Sequence, residues 1–163
     1  MFNYKSKNMK KILFPGTFDP FTIGHLSIVN RALQHFDEVV IGIGHNMFKK
    51  TFFPIEKRLA IVKKIVENEP RVSVVSYDSL TVDFATEIGA DLILRGIRTV
   101  ADFEYERNVA DTNRSLTGIE TVMLFTETQY SFISSSIVRE LLIYGKDVSK
   151  YVPNNIDLKQ FIN

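Results

Sequence analysis

The 163-residue sequence contains no cysteine, and this excludes several kinds of site. Without a thiol there is no disulfide framework, cysteine nucleophile, thiolate zinc site or iron–sulfur cluster. No apolar run approaches the roughly 18 residues that a membrane helix needs, so we expect no membrane span. Twenty basic residues against nineteen acidic ones leave a net charge of +1, too little to hold nucleic acid or an anionic membrane by a global field. Any anionic ligand must therefore be bound by a local site.

Two glycine signatures of nucleotide enzymes are also missing. The sequence has neither the G-x-G-x-x-G of dinucleotide-binding folds nor the G-x-x-x-x-G-K-[ST] of P-loops, which disfavours hydride transfer and P-loop phosphoryl transfer. It has no internal repeat, low-complexity segment or Gly/Ser-rich linker. We predict a flexible extension at residues 1–8, which lack the apolar run of a signal peptide, and one domain over residues 9–163. We expect the protein to be cytoplasmic.

What the sequence does contain is a regular alternation of apolar strands and amphipathic helices. Short apolar runs predict five strands, at 11–14, 38–44, 72–75, 92–94 and 121–125. Helical spacing predicts helices from about His25, from just after Pro54, at 82–88, at 101–115, from Ser134 or Ser135 to about Tyr144, and at 156–162. The pattern predicts an α/β fold, a single Rossmann-like doubly wound domain with a five-stranded parallel sheet and helices on both faces.

In such sheets the ligand lies beyond the carboxyl ends of the strands, so the segments after each strand are informative. The first is GTFDPFTIGH at residues 16–25. Gly24 permits close backbone approach, and a helix start offers N–H groups and a positive dipole end to a phosphate. His25 would face that ligand; the alternative is a histidine that only caps or packs at the helix start.

Two arginines follow the fourth strand in the segment Arg95-Gly96-Ile97-Arg98. The planar guanidinium can donate two hydrogen bonds to two phosphate oxygens, so this pair favours a triphosphate ligand. The alternative is a pair of surface arginines that form ion pairs with Asp102, Glu104 or Glu106.

Hydroxyl groups are concentrated after the fifth strand, in YSFISSS at residues 130–136. Three consecutive serines begin a helix although capping requires only one, so the others suggest an anion site; ordinary capping with a polar surface is the alternative. The loop after the second strand contains Lys49 and Lys50, which either neutralise a substrate phosphate or keep the loop solvated.

Three segments occur in the order GTFDPFTIGH, RGIRTVADFEYE and SFISSS. In these segments the chain resembles the phosphopantetheine adenylyltransferases of the HxGH nucleotidyltransferase superfamily, and the resemblance extends over nearly its whole length from Met9. The resemblance implies transfer of AMP from ATP to 4′-phosphopantetheine, giving dephospho-coenzyme A and pyrophosphate, by direct in-line attack without a covalent intermediate. It implies Mg²⁺ accompanying ATP, with no metal ligand assigned on the protein. It also implies a homohexamer.

The resemblance assigns roles by position. The implied catalytic set is His25, Thr17, Lys49 and Arg98. The implied phosphopantetheine contacts are Thr17, Lys49, Thr81 and Arg95. The implied ATP contacts are Thr17, Phe18, His25, Gly96, Ile97, Arg98, Glu106, Tyr130, Ser131, Phe132, Ile133, Ser134, Ser135 and Ser136. Two positions depart from the family pattern. Family members often have tryptophan at the position of Tyr130, and they more often have a larger apolar residue at the position of Thr81.

Two other functions fit part of the pattern. A nucleotidyltransferase acting on nicotinate mononucleotide or a polyol phosphate would share His25 and the serines, and product formation with each acceptor would separate it. A nucleotide-binding module that has lost catalysis would keep the same fold. The presence of His25, Lys49 and Arg95 argues against the second of these functions.

Overall fold

The computed structural model describes residues 9–45 and 50–162. In this part of the chain strands and helices alternate. The strands are β1 (Lys11–Gly16), β2 (Glu38–Gly44), β3 (Val72–Tyr77), β4 (Leu92–Ile97) and β5 (Glu120–Phe125). The α-helices are α1 (Ile23–Ala32), α2 (Ile55–Ile65), α3 (Thr81–Glu87), α4 (Val100–Thr117) and α5 (Ser135–Ile143), and 3-10 helices lie at Thr128–Tyr130 and Leu158–Phe161.

The strands form one parallel sheet in the order β3-β2-β1-β4-β5. Apolar residues of α1, α2 and α5 pack in the larger core cluster, and those of α3 pack in a second cluster with Leu13, Val40 and Ile93. Alternate residues of a strand point to opposite faces, so the two clusters cover the two faces of the sheet. The predicted doubly wound α/β domain is confirmed. No helix among the described residues is long and apolar enough to cross a membrane.

The strand ends nearest the expected ligand differ from the prediction. Pro15 and Gly16 were predicted to end β1, and this is wrong, because both stay in register with residues 42–43 of β2. Arg95–Ile97 were predicted to follow the fourth strand, but they belong to β4 and pair with residues 123–125 of β5. A parallel neighbour on one side is therefore enough to extend each strand beyond its apolar run.

Two helix boundaries also differ. α1 begins at Ile23 rather than near His25, because Thr22 caps the helix, and His25 therefore lies in its first turn. The predicted C-terminal helix at 156–162 is reduced to the 3-10 turn Leu158–Phe161, in which the Asp157 side chain accepts from the Lys159 N–H.

β1 and β4 separate towards their carboxyl ends. They pair in register at Ile12–Leu92 and Leu13–Ile93, and beyond this point the Arg95 side chain donates to Pro15 O at 2.6 Å. The strand order also reverses here, since β2 and β3 lie on one side of β1 while β4 and β5 lie on the other. Open α/β sheets bind ligands at such a switch point.

Gly42 in the middle of β2 allows the sheet to pack closely against its neighbours. An added Cβ would lie 2.9 Å from Leu13 Cδ1 and 3.1 Å from Tyr77 Cε1. We expect Gly42→Ala to lower the free energy of unfolding by about 1–3 kcal/mol, measured by urea denaturation, because the core must shift to admit the methyl group.

The matched control is Gly44→Ala in the same strand, whose Cβ would have Tyr77 Oη, at 3.5 Å, as its nearest neighbour among the described residues. It should change stability by less than about 0.5 kcal/mol. Equal losses for the two variants would show that crowding is not the cause.

Candidate active site

A cleft of about 380 Å³ opens where β1 and β4 separate. Its walls come from the segment after β1, the first turn of α1, the end of β4, the first turns of α4 and the start of α5. The structure brings most of the predicted residues together here. They are Thr17, Phe18, His25, Arg95, Gly96, Arg98, Glu106, Ile133, Ser134, Ser135 and Ser136.

Other predicted residues lie elsewhere. Lys49 falls outside the described residues. Thr81 lines a second, neighbouring cavity. The remaining four do not line the cleft: Ile97 is buried in β4, Tyr130 is half-buried, and Ser131 and Phe132 are exposed.

The cleft also contains four charged residues outside the predicted site: Asp19, Lys50, Asp102 and Arg139. Of these, the sequence had suggested Lys50 only as one of two loop lysines and Asp102 only as an ion-pair partner of the arginines. Arg139 follows Ser135 and Ser136 by four and three positions on α5, so helical spacing would have placed it on their face. Lys50 directly follows the predicted Lys49. The sequence did not indicate a role for Asp19, because aspartate is common in turns and the sequence does not show that this one is buried.

The start of α1 fixes the orientation of His25. The Thr22 backbone N–H donates to His25 Nδ1 at 2.9 Å, and the Thr22 hydroxyl oxygen accepts from the His25 backbone N–H at 3.4 Å. Because Nδ1 accepts a hydrogen bond, the proton of the neutral imidazole lies on Nε2. His25 therefore caps the helix and also lines the cleft, so the two interpretations of its sequence position are compatible.

Aromatic rings surround the imidazole and keep it neutral. Ring centroids of Phe18 and Phe21 lie 5.1 Å and 5.2 Å from that of His25, and Phe14 lies at 6.3 Å. Desolvation by this burial lowers the pKa of His25 from 6.5 to about 3, and the positive charges of Arg98 and Arg95 act in the same direction. At neutral pH His25 is thus an uncharged N–H donor.

The position of Phe18 depends on an unusual backbone conformation. Its φ is 48°, in the left-handed region that costs a residue with a Cβ roughly 1–2 kcal/mol. The ring consequently lies against Gly16, where an added Cβ would be 2.7 Å from Phe18 Cζ. Gly16 is therefore required for the ring that packs beside His25.

Arg95 is held in place by two neighbours. Its Nε donates to Glu106 at 2.7 Å, its Nη2 forms a short hydrogen bond to the same carboxylate, and its Nη1 donates to Pro15 O. The ion pair that we weighed as an alternative therefore exists, but Glu106 is buried and the pair lies in the cleft wall. One N–H on each of Nη1 and Nη2 is not used by the described residues.

Arg98 lies on the more exposed side of the cleft. Its Nε and its backbone N–H both donate to Asp102 Oδ2, at 3.2 Å and 3.1 Å, and its Nη1 is 3.4 Å from Ile133 O, which accepts. These contacts connect the end of β4 to the segment before α5.

The three serines at the start of α5 have different partners. Ser134 caps the helix by accepting from the Ile137 N–H, Ser135 donates to Pro20 O at 2.8 Å, and Ser136 accepts from Arg139 Nη2 at 3.0 Å. Arg139 Nη1 also donates to Asp19 O at 2.7 Å. Ser135 and Arg139 therefore join α5 to the segment after β1, and all three serines line the cleft.

The second cavity, of about 330 Å³, shares Pro15, Arg95 and Glu106 with the cleft. Its other walls come from the start of α3, from α4 and from β5, and all ten of their side chains are uncharged: Leu80, Thr81, Val82, Tyr105, Val109, Ala110, Thr112, Asn113, Leu116 and Thr121. The hydroxyl groups of Thr81 and Tyr77 are hydrogen-bonded at 2.9 Å. Thr121 Oγ1 is the one buried side-chain polar atom within residues 9–45 and 50–162 that lacks a partner.

The sheet opens at its switch point onto two helix starts, two arginines and a capping histidine. This arrangement defines a nucleotidyltransferase, and the model of the cytidylyltransferase-like family matches residues 13–141. A phosphopantetheine adenylyltransferase of Bacteroides fragilis is 57% identical over 92% of this chain and 100% of its own length. That of Phocaeicola vulgatus is 58% identical over 92% and 99%. The chain belongs to the phosphopantetheine adenylyltransferase family.

A solved structure supports the fold at a greater distance. A bifunctional NMN adenylyltransferase/ADP ribose pyrophosphatase of Francisella tularensis, crystallised with AMP and a manganese ion, has a TM-score of 0.68 and 16% sequence identity. It covers 93% of this chain, which spans 46% of that longer protein.

The lowered pKa of His25 predicts a pH dependence of stability. Between about pH 6.5 and 3 the unfolded chain binds a proton at His25 that the folded protein does not, so this group stabilises the fold less as the pH falls. We expect the ligand-free protein to lose on the order of 2 kcal/mol of stability from this group between pH 6.5 and 4.5, measured by urea denaturation.

His25→Gln should remove the part of the stability loss that comes from protonation of His25. The pH dependence that comes from the acidic residues should remain. Identical pH profiles for the two proteins would contradict the assignment.

Proposed function

We propose that the protein transfers the AMP portion of ATP to 4′-phosphopantetheine, which gives dephospho-coenzyme A and pyrophosphate. The observation that carries this proposal is the meeting of two cavities at Arg95. The cleft has the cations and helix starts that suit a triphosphate. The second cavity suits an uncharged chain, so an acceptor lying in it would bring a terminal phosphate to Arg95 beside the cleft.

The reaction needs positioning and charge neutralisation rather than a protein nucleophile. An oxygen of the acceptor phosphate attacks the α-phosphorus of ATP, and the bond from that phosphorus to the bridging oxygen of the β-phosphate breaks. Pyrophosphate leaves with the bond electrons. His25 Nε2–H donates to an α-phosphate oxygen as negative charge shifts onto it, which is the electrostatic contribution expected of a fixed donor.

The remaining residues divide between the two substrates. Arg98, Ser134–Ser136 and the first-turn N–H groups of α5 bind the β- and γ-phosphates, since they border the cleft at its outer side. Arg95, with Lys49 and Lys50, binds the acceptor phosphate, and Thr17 lies between the two substrates. Glu106 orients Arg95, because its carboxylate is already bonded to that guanidinium.

Mg²⁺ enters with ATP in this proposal. Among the described residues no group of three or more His, Cys, Asp or Glu side chains could hold a metal. The cleft carboxylates of Asp19, Asp102 and Glu106 accept hydrogen bonds from Phe52 and Phe53, Arg98 and Arg95, respectively. An Mg²⁺ ion that accompanied ATP would keep phosphate oxygens and water as ligands, as is usual at such sites, and would supply neutralisation of the triphosphate charge.

We also propose a homohexamer in the cytoplasm, where ATP is available. α4 supports self-association, because Glu106 is its one buried residue although the helix has 18 residues. Apolar side chains on α4 and at the end of β5 are exposed, namely Val100, Phe103, Tyr105, Leu116 and Phe125.

The proposal is tested by pyrophosphate release with ATP, Mg²⁺ and 4′-phosphopantetheine, compared with release without an acceptor. We expect acceptor-dependent release with dephospho-coenzyme A as co-product, and His25→Ala should lower kcat by roughly a hundredfold or more with little change in the KM for ATP. Its donor acts mainly on charge that develops in the transition state.

Turnover restricted to nicotinate mononucleotide or a polyol phosphate would assign a different acceptor. ATP binding without release for any acceptor would indicate a non-catalytic module. A twofold effect of His25→Ala would exclude the role given to its Nε2–H.

Arg95→Lys tests the acceptor side. A lysine retains the charge but cannot pair with Glu106, reach Pro15 O and bind phosphate together, so we expect the KM for 4′-phosphopantetheine to rise roughly tenfold or more. The KM for ATP should change by less than about threefold, because Arg95 is assigned to the acceptor phosphate and not to ATP.

Arg107→Lys is the control, because Arg107, on α4, is also an arginine but is exposed and lines neither cavity. Its Nε lies 4.0 Å from Asp111 Oδ2. It should retain both KM values. An unchanged KM for the acceptor in Arg95→Lys would contradict the assignment of Arg95.

A further inference from the structure

Arg58 on α2 is the largest side chain among the fully buried residues described, with 1% of its surface exposed. A buried arginine is unusual, because its charge loses the solvation of water and must be compensated by polar neighbours. Desolvation accordingly lowers the pKa of Arg58 from its ordinary value, and the negative charges of Asp19 and Glu56 oppose this effect. Nothing in the proposed reaction uses Arg58 directly.

The guanidinium is bonded to backbone carbonyls of three separate segments. Nη1 donates to Thr17 O at 2.7 Å and to Gly44 O at 3.2 Å, and Nε donates to Phe53 O at 3.1 Å. Thr17 follows β1, Gly44 ends β2, and Phe53 precedes α2. One side chain thus sets the distances between three turns of backbone at the same edge of the sheet.

Asp19 completes the connection from the opposite direction. Its carboxylate accepts from the Phe52 N–H at 2.7 Å and from the Phe53 N–H at 2.8 Å. Asp19 is buried, so these charge-assisted hydrogen bonds are strong and costly to break. The segment after β1 is therefore joined to the segment before α2 twice, through Arg58 and through Asp19.

Both joined segments reach the cleft, through Thr17 on one side and Lys50 on the other. We infer that Arg58 is a positioning residue, which holds Thr17 and the segment from Lys50 to Phe53 at the spacing that the acceptor phosphate requires. This inference rests on the proposed function. The hydrogen bonds of Arg58 go to Thr17, Gly44 and Phe53 and not to His25, Arg98 or the serines, so we expect the ATP side of the site to depend on Arg58 only indirectly, through the segment after β1.

Arg58→Lys is the first test, because it keeps the charge but its ammonium cannot reproduce the fork that reaches three carbonyls. We expect the KM for 4′-phosphopantetheine to rise at least tenfold and kcat to fall, while the KM for ATP changes by less than about threefold. Arg58→Ala should be more impaired, and added guanidinium ion should restore part of its activity by refilling the site.

The matched control is Val62→Ala, a buried position one turn further along α2 that has no polar contact to the cleft. Studied at temperatures equally far below the melting temperature of each protein, Val62→Ala should keep the wild-type KM values. If Arg58→Lys has the kinetics of Val62→Ala, Arg58 is merely structural and the inference is wrong. If the wild-type protein shows no acceptor-dependent turnover, the proposed function fails instead.

Hydrogen exchange provides a readout that is independent of turnover. In the ligand-free protein, Arg58→Lys should accelerate amide exchange in peptides covering residues 14–22 and 50–54 by tenfold or more, with residues 92–98 unchanged. Uniform acceleration along the chain, or none, would overturn the inference whether or not the wild type is active.

Discussion

The separation of β1 from β4 is the constraint on which the site depends. Each of these strands keeps a parallel neighbour on its outer side, β2 or β5, so both can continue after their mutual pairing ends at Leu13 and Ile93. Backbone groups that face the gap need partners from elsewhere, and Arg95 supplies one by donating to Pro15 O. The gap receives the first turns of α1 and α5, which bring N–H groups and positive dipole ends to a single place.

The three arginines around the gap are held by hydrogen bonds to other residues of the protein. Arg95 is bonded to Glu106, Arg98 to Asp102, and Arg139 to Asp19 O. These partners limit the repulsion between the guanidinium groups and fix each of them in one orientation. Donors that do not have to reorganise during the reaction are the arrangement that stabilises transition states most effectively.

The order of the elements and the fold followed from the sequence because long apolar runs and helical spacing do not depend on neighbours. β2, for example, runs from Glu38 to Gly44 as predicted. The strand ends at the site were predicted too short, since Pro15, Gly16 and Arg95 are polar or turn-forming residues that pairing with β2 or β5 keeps extended. Single-residue patterns carry no information about such pairing.

The supporting residues of the site were harder to predict than those lining it. His25 and the serines stand out because helix starts have known residue preferences. Helical spacing places Arg58 on the apolar face of α2, three, four and seven positions before Ile61, Val62 and Ile65, so the sequence carried a signal for its burial. Only the folded chain shows which backbone carbonyls its guanidinium binds. The packing of Phe18 against His25 depends on a left-handed backbone at Phe18, which no residue preference predicts.

The capping role of His25 has a consequence for how such chains change over generations. Because Thr22 and His25 form a reciprocal cap at the start of α1, selection for a folded helix restricts position 25 to side chains that can accept from the Thr22 N–H, even where selection for turnover has ceased. A descendant without catalytic activity could therefore exchange this histidine for glutamine or glutamate and keep the cap. In this fold the loss of activity would leave the helix start intact and change first those positions that folding does not need, such as the exposed Lys50.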